Sequence, residues 1–192
     1  MIILFYDTET SGLPSTGEAL DSPKQPDMVQ LGALLYDTEK DEFIHKLSLI
    51  VKHKDCRMSP KALAVHGIDQ RRMETGLPAA AVAEIVKGLM ATADMCIGFN
   101  IGFDKKILKI FMAKAGVDFE EVDHGCIMHP LTDVCKLPGR MGRYKWPKLT
   151  EAHAKLINPE GFDDAHDAFA DIMATYDLWK YCVDNNIKPR GV

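Results

Sequence analysis

The stretch Ile2-Ile3-Leu4-Phe5-Tyr6-Asp7-Thr8-Glu9-Thr10-Ser11-Gly12-Leu13 decides how the rest of the chain is read. Its five leading apolar residues predict a strand buried inside a sheet. Side chains alternate across a strand, so Asp7 and Glu9 project from the same face at its end. Two carboxylates held that close repel each other, and burying them unpaired costs several kcal/mol (~2–7 for a polar group, more for a charge) or forces a proton on. A bound divalent cation removes that cost. A lone D-x-E is more often a solvated strand end, so its meaning depends on what stands elsewhere in the chain.

At 192 residues the chain is long enough to bury a substantial core, and one domain spanning 1–192 is expected. Hydrophobic residues make up 46% and charged residues 27%, the balance of an ordinary soluble globular protein. No apolar run reaches membrane-spanning length, and the N-terminus carries no signal-peptide pattern, so a cytoplasmic protein is expected. The five cysteines, an odd number without paired spacing, argue against a disulfide framework. His124, Cys126, His129 and Cys135 match no standard zinc spacing. The net charge of −5 does not exclude a nucleic-acid partner, because acids that hold metals count against the total while presenting a cationic site.

Downstream, residues 14–27 read as a surface loop rich in proline and polar residues. Residues 28–36 and 43–51 read as two strands joined by a charged hairpin connection. Ser59-Pro60 opens a short helix that stops at His66-Gly67. Helical periodicity covers 77–91, a short strand 95–99, and a second helix 103–115 ends at Gly116. A helix is expected over 126–137, a basic loop over 138–148, a helix over 149–156 and a last helix over about 165–183, with Asp164 as its N-cap. Strands first and helices interleaved later predict a mixed α/β sheet, antiparallel in its first strands and parallel later, with helices on both faces.

Two further stretches carry acids at element boundaries. In Ile97-Gly98-Phe99-Asn100-Ile101-Gly102-Phe103-Asp104, a strand ends at Asn100 and Asp104 enters the first turn of a helix. The helix dipole alone accounts for an acid there. In Asp164-Ala165-His166-Asp167-Ala168-Phe169-Ala170-Asp171, His166 stands at a helix entrance, apart from the acids. The helical neighbours of Asp171 are Asp167, Ala168, Ala174 and Thr175, all small enough to leave room for a ligand. The segment with Arg143, Tyr144, Lys145 and Trp146 mixes cations and aromatics as single-strand binding requires, and Lys105 and Lys109 extend a cationic rim.

D-x-E-T-S-G after a first strand, then N-x-x-F-D, then H-x-A-x-x-D near the C-terminus, resembles the DEDDh family of 3′–5′ exonucleases. This is the DnaQ-like group, with polymerase proofreading subunits, exonuclease X and RNase T. The resemblance spans most of the chain and implies an RNase H-like fold. It also implies two Mg²⁺ or Mn²⁺ ions held by Asp7, Glu9, Asp104 and Asp171, with His166 as general base. Substrate contacts are expected from Thr8, Thr10, Leu13, His66, Asn100 and Phe103, and from Arg143, Lys145 and Trp146. For Leu13 core packing is the competing role, for His66 helix capping, and for Asn100 fixing the strand-to-helix turn. The implied partner is nucleic acid, with DNA preferred and RNA the alternative, in a polymerase or repair complex. A non-catalytic binding domain on the same fold would lack a motif carboxylate or the histidine, and none is missing. A nucleotide-binding α/β domain would carry a glycine-rich phosphate motif, and this chain has none.

Overall fold

The computed structural model describes residues 1–191. Its elements run β1 (Ile2–Thr10), β2 (Met28–Asp37), β3 (Glu42–Lys52), α1 (Pro60–His66), α2 (Gln70–Glu74), β4 (Leu77–Pro78), α3 (Ala79–Thr92), β5 (Met95–Gly98), α4 (Gly102–Ala115), β6 (Asp123–Cys126), α5 (Met128–Cys135), α6 (Leu149–Leu156), α7 (Ala168–Asp184) and β7 (Arg190–Gly191). The strands form one sheet in the order β4-β3-β2-β1-β5-β6-β7. The β1–β2 and β2–β3 pairs are antiparallel, β1–β5 and β5–β6 parallel. This is the mixed sheet that the order of strands and helices predicts and the RNase H-like arrangement that the family resemblance implies.

Alternation along β1 feeds two cores. Leu4 and Tyr6 pack with α3 and α4 side chains such as Val86, Ile107 and Phe111. Ile3 and Phe5 pack on the opposite face with Leu131, Ile172, Leu178 and Trp179. The central strand is thus buried on both faces, which fixes its register against slippage.

Several boundaries differ from the sequence reading. The helix expected over 126–137 is the shorter α5, preceded by a strand (β6) that ends at Cys126, and Leu77–Pro78 pairs with β3 before α3 begins. The last helix starts at Ala168, not 165. Asp164 and His166 adopt left-handed backbone (φ 56° and 75°), which breaks a helix, and the N-cap is Asp167, whose carboxylate accepts from Phe169 N–H and Ala170 N–H.

The start of α7 is locked onto β2. Gln30 donates from Nε2 to Asp167 Oδ2 (2.8 Å) and accepts from Ala168 N–H (3.3 Å). At Gly32 the helix backbone approaches so closely that a Cβ would lie 2.3 Å from Ala168 O. Gln30 and Gly32 sit opposite Glu9 and Asp7 in the β1–β2 register, so the contact that seats α7 also sets its height relative to the D-x-E pair. Gly32→Ala should therefore lift the first turn of α7, lowering stability by about 1–3 kcal/mol in urea unfolding. An unchanged midpoint would show that the helix shifts without cost.

Candidate active site

Asp7 and Glu9 end β1 on the α7 side, and Thr8 between them points to α4. Thr8 donates to Asp104 Oδ1 from both its backbone N–H (3.0 Å) and its Oγ1 (2.7 Å), drawing the first turn of α4 against β1. From the other side, Asp171 in the first turn of α7 accepts from His166 N–H (3.3 Å). The three sequence motifs therefore meet at the end of β1. Ligand atoms of Glu9, His166 and Asp171 all lie within 4.8 Å of one another. His166, expected to stand apart from the acids, is part of their cluster: the left-handed turn at 164–166 folds its ring inward.

The electrostatics of this cluster are unfavourable without a counter-ion. Burial, then the charges of Asp104, Asp171 and Glu9, pushes the Asp7 carboxyl well above its ordinary range. Burial and the charges of Asp171 and Asp104 push Glu9 up to about 8. Asp104 is raised to about 7 by burial even though the two Thr8 hydrogen bonds oppose the shift. Asp171 is also raised by burial, with His166 pulling it back. No ion pair among the described residues reaches any of the four. Hard oxygen donors packed together without a cationic side chain fit a Mg²⁺ or Mn²⁺ site.

Beside Glu9 lies a cleft of about 520 Å³ whose lining includes Thr8, Thr10, Leu13, Val65, His66 and Phe103. Its volume suits a nucleotide-sized ligand. Leu13 is 81% exposed, which excludes core packing and leaves it as an apolar wall of the cleft. The 10–13 turn that carries it is pinned on three sides. Ser11 exchanges hydrogen bonds with Asp27, Ser59 N–H donates to Ser11 O (2.8 Å), and Thr10 Oγ1 donates to Gly12 O (2.7 Å). His66 completes the frame. Ile68 N–H donates to its Nδ1 (3.0 Å), so Nε2 carries the proton and donates to Thr10 O (3.2 Å).

Other expected contacts separate from the cleft. Asn100 holds a left-handed turn (φ 60°) and its carbonyl accepts from Phe103 N–H (3.0 Å), the turn-forming role. Arg143, Lys145 and Trp146 lie on the segment between α5 and α6, outside the cleft lining. Lys145 is paired with Glu151 (2.6 Å) and Lys109 with Glu121 (2.7 Å), with Lys105 also facing Glu121 (3.9 Å), so the lysine rim is largely neutralised. Sequence reading missed Gln30 and Gly32, because their importance lies in a contact made across 136 or more positions of chain.

The RNase T exonuclease family model matches residues 4–179. The chain belongs to the DnaQ-like DEDDh exonuclease family. No curated protein sequence matches it. Solved structures similar to this DnaQ-like chain include E. coli exonuclease I in complex with a dT13 oligonucleotide (TM-score 0.76, 20% identity, covering 94% of this chain and 40% of that one). The zinc-bound E. coli exonuclease I–ssDNA complex aligns with TM-score 0.75 and 21% identity over 96% of this chain and 40% of that one. Apo exonuclease I gives 0.73 and 19% over 95% and 42%. The chain spans about two fifths of the length of exonuclease I, and the likeness is one of fold.

Raised carboxylate pKa values give the metal-free protein a specific pH response. Between the unfolded carboxyl values near 4 and the folded values of about 7 to 8, the folded state binds more protons than the unfolded state. Stability of the metal-free protein should therefore fall as pH rises through that window. Thermal melts in EDTA should show a lower Tm at pH 8 than at pH 5.5. Asp7→Asn should remove part of the loss, and Mg²⁺ should raise Tm more at pH 8 than at pH 5.5. A Tm that rises with pH in EDTA would mean that the cluster is not strained.

Proposed function

We propose that residues 1–192 act as one metal-dependent 3′–5′ exonuclease unit that hydrolyses phosphodiester bonds from the 3′ end of single-stranded or frayed DNA, releasing nucleoside monophosphates. The observation that carries this reading is the gathering, at the end of β1, of four carboxylates that no ion pair among the described residues reaches, with His166 beside Glu9 and Asp171 and with Glu9 lining a nucleotide-sized cleft. Asp7, Glu9, Asp104 and Asp171 would hold two Mg²⁺ or Mn²⁺ ions. When bound, such ions neutralise charge on the reacting phosphate and make water a better nucleophile.

The chain supplies the rest. Leu13 and Phe103 offer apolar surface to the terminal base, and the pinned 10–13 turn holds the 3′ end against Glu9. His166, exposed at the cluster's edge, accepts the proton of the attacking water, a task imidazole performs at neutral pH. DNA is preferred to RNA because exonuclease I, similar in fold, is solved with dT13 and dA16. All five cysteines are unbridged, in keeping with a reducing, cytoplasmic setting. No helix among the described residues is long and apolar enough to cross a membrane.

The closeness of His166 to Glu9 and Asp171 raises a second role for its ring, that of a metal ligand. The two roles separate experimentally. As a general base, His166→Ala should keep near-normal Mn²⁺ affinity while single-turnover cleavage falls roughly 10²–10⁴-fold. Loss of Mn²⁺ affinity, with activity partly restored by excess Mn²⁺, would assign the ring to the metal instead.

A further inference from the structure

The segment between α5 and α6 is a fixed hairpin. Pro138 bridges Tyr144, Gly139 N–H donates to Arg143 O (2.9 Å), and Lys145 N–H donates to Leu137 O (3.1 Å). The strands pass so closely that a Cβ on Gly139 would stand 2.6 Å from Arg143 O. Glu151 on α6 straps the outgoing arm, accepting from Lys145 Nζ (2.6 Å) and Lys148 N–H (2.9 Å). On this frame Trp146 is 64% exposed, its ring braced edge-to-face at 5.0 Å by His129 in the first turn of α5. Trp179, in contrast, is packed among Phe5, Tyr36 and Tyr176 in the core. A large ring held in water by a second ring is a surface for stacking, and Arg140 and Arg143 on the same hairpin segment form no ion pair among the described residues.

The sheet places this ring relative to the acids. β1, β5 and β6 are parallel neighbours, with Gly98 opposite Cys126 and Ile127 N–H bonded to Gly98 O (3.1 Å). The helix carrying His129 therefore leaves the same sheet edge at which Asp7 and Glu9 end β1. Two strand spacings amount to about 10 Å, which is the rise of about three stacked nucleotides. Phe103, at the start of the helix that follows the intervening β5, lines the cleft beside Glu9.

We propose that Trp146, braced by His129, is a stacking platform for an unpaired base about three nucleotides upstream of the 3′ end, with Arg143 against the neighbouring phosphates. This rests on the exonuclease reading and adds a substrate requirement: a single strand of at least that length. A duplex presents no free base face to such a ring. Lys145, whose ammonium is held by Glu151, acts as a strut of the hairpin.

Tryptophan fluorescence tests this, because Trp146 is the exposed one of the two tryptophans. Oligodeoxythymidylates are titrated with Ca²⁺ in place of Mg²⁺, and their integrity is checked afterwards. Emission should stay unchanged with dTMP and dT2 and be quenched from dT4 upward. Trp146→Ala should lose the quenching and bind dT8 roughly 5- to 100-fold more weakly, the worth of one base–aromatic stack. Trp146→Phe should retain most of the affinity, and circular dichroism should show both variants folded. Equal quenching by dTMP, or wild-type dT8 affinity in Trp146→Ala, overturns the platform and leaves the hairpin as a solvated or protein-binding surface. If dT8 is degraded by the wild type under Mg²⁺ in that case, only the platform fails. If dT8 is neither bound nor degraded, the exonuclease reading fails with it.

Discussion

Mutual repulsion among four carboxylates is the constraint around which this chain is built. Asp7, Glu9, Asp104 and Asp171 come from three elements, and nothing in their own chemistry favours bringing them together. The fold overcomes that repulsion by contacts just outside the cluster. Thr8 ties α4 to β1 through Asp104, and Gln30 and Gly32 seat α7 on β2 directly opposite Glu9 and Asp7. Two cores on the faces of β1 supply the burial energy that makes those contacts affordable. Strain at the site and packing beneath it are parts of one arrangement, in which a bound divalent cation would relieve what burial imposes.

The motif residues were picked out by the resemblance to the DEDDh family, because local chemistry left each motif open when taken alone. An apolar run ending in D-x-E, an acid in a first helical turn and an H-x-A-x-x-D segment can all be read without knowing the tertiary structure. Helix Leu149–Leu156 and the strands around the first hairpin were readable from local pattern. Failures cluster where tertiary contacts decide. β6 is only Asp-His-Gly-Cys, a segment with little strand propensity that pairs because β5 lies alongside. Asp164 has the chemistry of an N-cap, but the left-handed turn at 164–166 passes that role to Asp167. Lys105 and Lys109, read as a phosphate-attracting rim, face Glu121 on the irregular segment before β6, and Lys145, itself on an irregular segment, faces Glu151 on α6, pairings that no local pattern fixes.

His66 ends a helix and also lines the cleft. It ends α1, as a capping histidine would, and Gly67 takes the left-handed position after it. Its ring nevertheless reaches across to Thr10 O and forms part of the cleft wall, so helix end and cleft share one side chain. Burial keeps that ring's pKa below the ordinary histidine value, which preserves the tautomer that both of its hydrogen bonds require.

The central claim is that the carboxylate cluster is a cation-dependent site for trimming 3′ ends, and product analysis tests it most directly. A 5′-labelled single-stranded oligonucleotide incubated with the protein and Mg²⁺ should yield a descending ladder, each step shorter by one nucleotide, with nucleoside 5′-monophosphates released. EDTA should abolish the ladder, and a blocked 3′ terminus should prevent it. An intact oligonucleotide, internal cuts, or a ladder undiminished by EDTA would contradict the account.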